Sequence, residues 1–385
     1  MPAVLFYVQH LLGIGHLMRA RAICEALTAR GCAVHLVSGG RPPACRPQGV
    51  RTIQLPPIHA ADATMKPLLD AGGEPIDDAY RKQRCNLLLE AFDAIAPAAV
   101  VFETFPFGRR ALHFELLPLL ERIAAARPRP VVVASIRDIL QRRTPERERE
   151  TLDLARRAFD AVLVHGDRRF MRLEETYPLA SELGMPICYT GFVVATAAAK
   201  SPAQGERAEI VVSGGGGAVG YKLMRAALAA RPRSHASHIR WRLLVGANAP
   251  DAELEALSRD AGPGLIVERA RQDFPALLAR APISVSQAGY NTVLDVVRSG
   301  ARPVLVPFAE QGETEQTTRA NRLRELDLAV VVDGPGVSGL NLAAAIDAAA
   351  AKQDWGTWNF DCDGAARSAA IVMDMIEREA RRVVR

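Results

Sequence analysis

Near the start of the chain, Gly13-Ile14-Gly15-His16 puts an imidazole directly behind a glycine turn, and the turn follows the apolar run Val4 to Val8. Glycine lets a backbone bend sharply and approach a ligand. A histidine at the start of the helix that follows is placed to take a proton from a substrate near neutral pH. One carboxylate competes for that role: Glu103 opens the segment Glu103-Thr-Phe-Pro-Phe-Gly-Arg-Arg110, which also follows an apolar run. Taken alone, the first turn reads equally well as a tight turn with a helix-capping histidine.

Two further loops have residue types suited to phosphate and sugar. Ser213-Gly214-Gly215-Gly216-Gly217 lies between the run Glu209 to Val212 and a helix beginning near Val219. Four consecutive glycines cost chain entropy, and a diphosphate seated at a helix N-terminus is the usual reason to keep them. Gly215, Gly217 and Gly220 also fit the dinucleotide pattern. The next strand, however, runs into Gly246-Ala247-Asn248 with no carboxylate for a ribose 2′-OH, which weakens a nicotinamide reading. No Gly-Lys-Ser/Thr follows, so a Walker loop is excluded.

The third loop, Ser286-Gln287-Ala288-Gly289-Tyr290-Asn291-Thr292, opens a helix that carries Asp295 one turn in. Gly289 permits close approach, Asn291 and Thr292 offer donors to phosphate, and Asp295 can accept from vicinal ribose hydroxyls. One strand later, Glu315 and Gln316 precede Arg319-Ala320-Asn321 and can hydrogen-bond sugar hydroxyls. Read alone, these residues are also a polar loop and a capped helix.

Loops of this kind need strands to hold them. Short β-branched runs at Val4–Val8, Ala33–Ser38, Ala98–Phe102, Val131–Ile136, Ala161–His165 and Ile187–Gly191 alternate with amphipathic stretches such as His16–Arg30 and Leu112–Ala126. That is the pattern of a parallel α/β sheet with crossover helices. Ala195–Arg207 has no periodicity, contains Pro202 and Gly205, and reads as a linker. The alternation restarts with Glu209–Ser213, Arg240–Gly246, Leu265–Glu268, Ile283–Gln287, Pro303–Pro307 and Ala329–Val332. We therefore expect an α/β protein of two Rossmann-like domains facing across a cleft, residues 1–194 and 207–363. The final helix, 364–385, is expected to cross back to the first domain.

The length of 385 residues suits two domains, and 49% hydrophobic against 24% charged residues is the balance of a globular protein rather than a disordered one. No apolar run reaches the roughly 20 residues of a spanning helix, and the N-terminus reads as a first strand rather than a leader, so the expected compartment is the cytoplasm. Six scattered cysteines lack the short paired spacings of a zinc or redox site. The net charge of +5 is spread along the chain; Arg378, Arg381, Arg382 and Arg385 alternate with Glu377 and Glu379 as on a solvated helix, which argues against nucleic acid as a partner.

The run AGYNTVLDVVRSGARPVLVPF, followed by Glu-Gln and Arg-Ala at short distance, resembles the donor half of the B-type glycosyltransferases, specifically those similar to the peptidoglycan lipid-intermediate N-acetylglucosaminyltransferase. GIGH and the loop at 213–217 fall where that family places its two phosphate-side loops, so the resemblance spans both halves. It implies a UDP-linked sugar as co-substrate and no other cofactor. Under it Asp295 holds the ribose, and Gly289 and Thr292 form the diphosphate turn. Glu315 and Gln316 touch the donor sugar, the stretch around Phe274 borders the uracil, and His16 is a candidate base. Gly13, Gly15, Ser213, Gly214, Gly215, Gly216, Gln287, Ala288 and Asn291 complete the expected donor site.

The sequence departs from the family in two ways: Asp295 stands where Glu is commoner, and the N-terminal loop has fewer glycines, so the acceptor need not be a lipid-linked muropeptide. It can be a small molecule, a glycan or a lipid. Three more segments, Glu103–Arg110, Ser135–Asp138 and His165–Asp167, resemble loops of uncharacterised members of the group and should line the cleft, with Asp138 and Asp167 reading equally as helix caps. Arg109 and Arg110 suggest weak peripheral contact with an anionic membrane.

The expected chemistry needs no metal, because helix N-termini can stabilise a departing diphosphate. Three alternatives remain open at this point. GIGHLMRA is also similar to nucleotide-sugar hydrolases in which His16 would activate water; the glycines at 215, 217 and 220 allow an oxidoreductase; and a non-catalytic nucleotide-sugar sensor would keep the binding residues alone.

Overall fold

A computed structural model describes residues 1–11, 13–42, 47–60, 67–194, 209–215 and 220–383. The whole of the expected linker, and Gly216, lie outside these residues. The chain divides into two compact units, Met1–Ala195 with Phe360–Arg385, and Thr196–Asn359.

In the first unit the elements run β1 (Ala3–Val8), α1 (Gly15–Ala29), β2 (Ala33–Ser38), β3 (Arg51–Gln54), β4 (His59–Ala60), β5 (Leu68–Leu69), α2 (Asp78–Ile95), β6 (Ala99–Glu103), α3 (His113–Ala125), β7 (Val131–Arg137), α4 (Pro145–Ala158), β8 (Ala161–His165), α5 (Leu173–Thr176) and β9 (Ile187–Tyr189). Seven strands form one sheet in the order β3-β2-β1-β6-β7-β8-β9, every pair parallel. Strands β1, β6, β7 and β8 are covered on both faces, which is why they read as unbroken apolar runs rather than alternating ones.

One face of the sheet is covered by α1 and by α12 (Gly364–Val383). Leu17, Ala20, Cys24 and Leu27 meet Ala369, Val372 and Ile376, the last three at the i, i+3, i+7 spacing of a single helix stripe. Burying each large apolar side chain in such a contact contributes about 1.5–3 kcal/mol. The returning chain is seated by Phe192 N–H donating to Asp361 O at 2.7 Å and by edge-to-face contacts of Phe360 with Phe170 and Phe192. The final helix thus belongs to the first unit. Opposite, a buried pair ties loops together: Arg84 holds Glu115 at 2.7 Å, also donates to Gly39 O and Gln9 Oε1, and Tyr7 donates its hydroxyl to the same carboxylate.

The second unit runs β10 (Glu209–Ser213), α6 (Tyr221–Ala230), β11 (Arg240–Val245), α7 (Asp251–Arg259), β12 (Leu265–Arg269), α8 (Phe274–Ala279), β13 (Ile283–Ser286), α9 (Tyr290–Ser299), β14 (Arg302–Leu305), α10 (Glu315–Glu325), β15 (Val330–Val331) and α11 (Gly339–Ala351). Its six strands are ordered β12-β11-β10-β13-β14-β15, all parallel. Both sheets therefore have the doubly wound order, with the direction of winding reversing between β1 and β6 in one and between β10 and β13 in the other. Loops leaving the carboxyl ends of those strand pairs diverge and leave room for a ligand. The four loops so placed begin at Gln9, Glu103, Gly214 and Gln287.

Candidate active site

In the first unit, α1 starts at Gly15 with Ile14 as its N-cap residue and no side-chain cap. His16 therefore lies inside the first turn and is not a capping histidine. Its Nδ1 is 2.9 Å from Glu103 Oε1, at the end of β6. Arg19, one turn further along α1, donates to the same oxygen, and Ser135 Oγ, on β7, donates to Glu103 Oε2 at 2.7 Å. Glu103 and Ser135 are fully buried, and His16 retains a little exposure.

Electrostatics divide the roles. Burial opposes ionisation of Glu103, but Arg19 and then His16 outweigh it and hold the carboxyl well below the usual range. A carboxylate so firmly ionised and so fully occupied is a poor proton acceptor. His16 is pushed well below the ordinary histidine value, first by burial and then by Arg109, while Glu103 pulls the other way. It is thus neutral. With Glu103 accepting from Nδ1–H, the tautomer is fixed and Nε2 carries the lone pair. The geometry leaves His16 Nε2 better placed than Glu103 to accept a proton and makes Glu103 the group that orients the imidazole, whereas the sequence left the two as competitors.

Behind Ser135 the polar chain continues inward. Since the Ser135 hydroxyl donates to Glu103, its oxygen accepts from His165 Nε2 at 2.7 Å, and Thr190 Oγ1 lies 2.9 Å from His165 Nδ1. Both residues are fully buried, and His165 is pushed down to about 3 by burial, then by Arg19, so it stays neutral. The segments of Ser135, His165 and Asp138 were expected to line the cleft; the structure buries all three side chains, and Ser135 and His165 lie behind Glu103. Neither aspartate caps a helix. Asp138 is separated from α4 by Thr144, the actual N-cap residue, and Asp167 pairs with Arg169 in a turn. Nor are both loop arginines surface groups: Arg110 is exposed and pairs with Glu150, but Arg109 is half-buried.

In the second unit, Ser213 ends β10 and Gly214 and Gly215 follow. A Cβ on Gly214 would meet Gly220 Cα at 2.9 Å, and Gly215 has φ +74°, so these two positions require glycine for the fold of the turn itself. Gly220 then becomes the N-cap residue of α6. Gly289 is different. It is the extended N-cap residue of α9, and a Cβ there would touch nothing closer than Thr292 Oγ1 at 3.9 Å. Neither space nor backbone demands glycine at 289, and the space beside it is open to a ligand. No side chain caps α9, so its first-turn N–H groups are directed at that space. Asn291 and Asp295 are four apart and Thr292 and Asp295 three apart, hence on one face of the helix, and all three are half-buried.

Gln287 and Ala288 are buried beneath this turn. Gln316 Oε1 accepts from Ala288 N–H at 3.0 Å and from Phe308 N–H at 3.1 Å, bracing the loops after β13 and β14. Glu315 is buried and pairs with Arg319 at 2.9 Å, and Arg319 also donates to Ala288 O at 3.0 Å. The two residues expected to touch the sugar also brace the loops after β13 and β14. Phe274 starts α8, half-buried against the core around Val211 and Leu278.

Residues 210–355 match the glycosyltransferase family 28 C-terminal domain. A stretch of 125 residues is 32% identical to the UDP-N-acetylglucosamine--N-acetylmuramyl-(pentapeptide) pyrophosphoryl-undecaprenol N-acetylglucosamine transferase of Synechococcus sp. (strain CC9902), covering 32% of each chain. The same enzyme of Synechococcus sp. (strain CC9605) matches at 32% over 123 residues, again 32% of each. The chain thus spans about a third of the length of the curated relatives it matches. Among solved structures, the calicheamicin glycosyltransferase aligns with TM-score 0.59 at 16% identity over 98% of this chain and 95% of its own. MurG of Acinetobacter baumannii aligns with TM-score 0.58 at 15% identity over 98% and 100%.

The fold is that of the B-type glycosyltransferases. Most of the second unit is similar to the glycosyltransferase family 28 C-terminal domain.

Proposed function

We propose that this protein is a glycosyltransferase that moves a sugar from a nucleoside diphosphate donor, UDP first among the candidates, to a hydroxyl or amine of an acceptor. The observation that carries this reading is the His16–Glu103 pair at a strand-order reversal, in a chain whose other unit matches the glycosyltransferase family 28 C-terminal domain. In the reaction, the acceptor O–H or N–H gives its proton to His16 Nε2 and the freed lone pair forms a bond to the anomeric carbon. The bond from that carbon to the phosphate oxygen breaks, and the nucleoside diphosphate leaves with the electron pair. Gly289 and the first turn of α9 receive the diphosphate, and Asp295 takes the ribose hydroxyls.

Helix dipoles supply the stabilisation that a metal supplies elsewhere, so we expect turnover to survive chelators. No helix among the described residues is long and apolar enough to cross a membrane. We place the enzyme in the cytoplasm; the relatives' printed names raise a lipid-linked acceptor as one candidate. Incubation with a panel of nucleotide sugars and candidate acceptors tests the reading. A glycosylated product that disappears in His16→Ala supports it. Free sugar formed at the same rate with and without acceptor would mean hydrolysis instead.

A further inference from the structure

The loop after β6 carries two adjacent arginines with opposite fates. Arg110 is exposed and its charge is answered by Glu150. Arg109 adopts a left-handed backbone, φ +65°, its Nε is buried without a hydrogen-bond partner, and among the described residues its side chain has no ion pair. The nearby carboxylate does not relieve it, because Glu103 is already occupied by His16, Arg19 and Ser135. Arg137, at the end of β7, adds a second positive charge within electrostatic reach.

We propose that Arg109, with Arg137 beside it, forms an oxyanion subsite next to His16 that takes a carboxylate or phosphate group carried by the acceptor. This rests on the reading of the first unit as the acceptor-binding half. A half-buried guanidinium whose Nε is shut off from water and unpartnered is costly to leave without a counter-ion, and a bound oxyanion relieves that cost. The planar fork of arginine matches both groups bidentately. Burial, then Arg137, pushes the Arg109 guanidinium down to about 10, and Arg109 in turn is the largest charge acting on His16. An anion held there neutralises that repulsion and makes His16 a stronger base only once the acceptor is seated. The acceptor is thus a molecule whose nucleophile lies within a few ångströms of its anionic group.

The test uses the full chain, saturated with UDP so that the donor side is filled, and titrated calorimetrically with inorganic phosphate and separately with acetate at constant ionic strength. Wild type should bind at least one of the two. Arg109→Gln should weaken that binding at least tenfold, Arg109→Lys by an intermediate factor, and Arg110→Gln not at all. Preference for phosphate identifies a phosphorylated acceptor, and equal binding of acetate a carboxylated one. Near-UV circular dichroism confirms that each variant is folded; should Arg109→Gln not fold, Arg109→Lys and Arg137→Gln decide. Binding unaffected by the variants that fold, or no binding by wild type, overturns the subsite. Failure of UDP to bind is a separate result: it sinks the transferase reading, and the titration without UDP still decides the role of Arg109.

Discussion

Glu103 Oε1 accepts a hydrogen bond from His16 Nδ1 at 2.9 Å, joining two residues 87 positions apart across neighbouring parallel strands. Strand register makes the pair possible: Tyr7 lies opposite Phe102, so the loops after both strands leave the sheet at the same level.

Removing the negative charge but not the shape of that contact separates orientation from packing. Glu103→Gln should lower kcat/KM by roughly 10²- to 10⁴-fold, the usual worth of general base catalysis, while nucleotide affinity stays near wild type. Steady-state kinetics with donor and acceptor varied in turn measures it. A loss confined to KM for the donor would contradict the assignment.

Acid stability should report the buried histidines. His165 is pushed down to about 3, whereas an unfolded histidine protonates near 6.5. Between those values the unfolded chain binds a proton that the folded chain refuses, so this stability is complete above about pH 6.5 and is lost as pH falls toward 3. His16 acts with the same sign. Each contributes a slope of about 1.4 kcal/mol per pH unit in its window. Urea unfolding from pH 7 to pH 5 should show a smaller loss in His165→Gln than in wild type; equal losses would remove His165 from the account.

Gly289→Ala should fold normally, because the added methyl meets nothing closer than 3.9 Å and φ is ordinary. Affinity for UDP should nevertheless fall by tenfold or more. An unfolding midpoint well below wild type would instead mean that glycine serves the fold.

Arg84 and Glu115 are both fully buried and paired at 2.7 Å. Arg84→Ala strands a carboxylate in the core and should cost about 3–5 kcal/mol. The double variant Arg84→Met with Glu115→Leu should recover part of that loss, since no charge is left unpaired. A double variant as unstable as the single would contradict the electrostatic explanation.

Much of the fold could be read from the sequence because buried parallel strands are continuous apolar runs. All six runs of the second unit are strands, and so are the six of the first. The strands missed were the two-residue β4 and β5, too short to leave a pattern, and β3, Arg-Thr-Ile-Gln at the edge of the sheet, where one flank faces solvent and no apolar run is needed. At the site, the glycine and histidine of the first turn were legible from type and position. Arg19 and Thr190 were not, and Ser135 and His165 were expected on the cleft rather than buried behind Glu103, because their significance lies in contacts between strands far apart in sequence. Arg109 gave a misleading signal: two adjacent arginines look alike on paper, and only the structure shows that one is exposed and the other half-buried.

The central claim is that the second unit binds a nucleoside diphosphate through α9. Calorimetric titration of UDP, TDP, GDP and NADH into wild type and Asp295→Ala tests it most directly. The account predicts tight binding of UDP or TDP to wild type, weakened at least tenfold in Asp295→Ala, with no binding of NADH. Binding of NADH, or nucleotide affinity indifferent to Asp295, would contradict it.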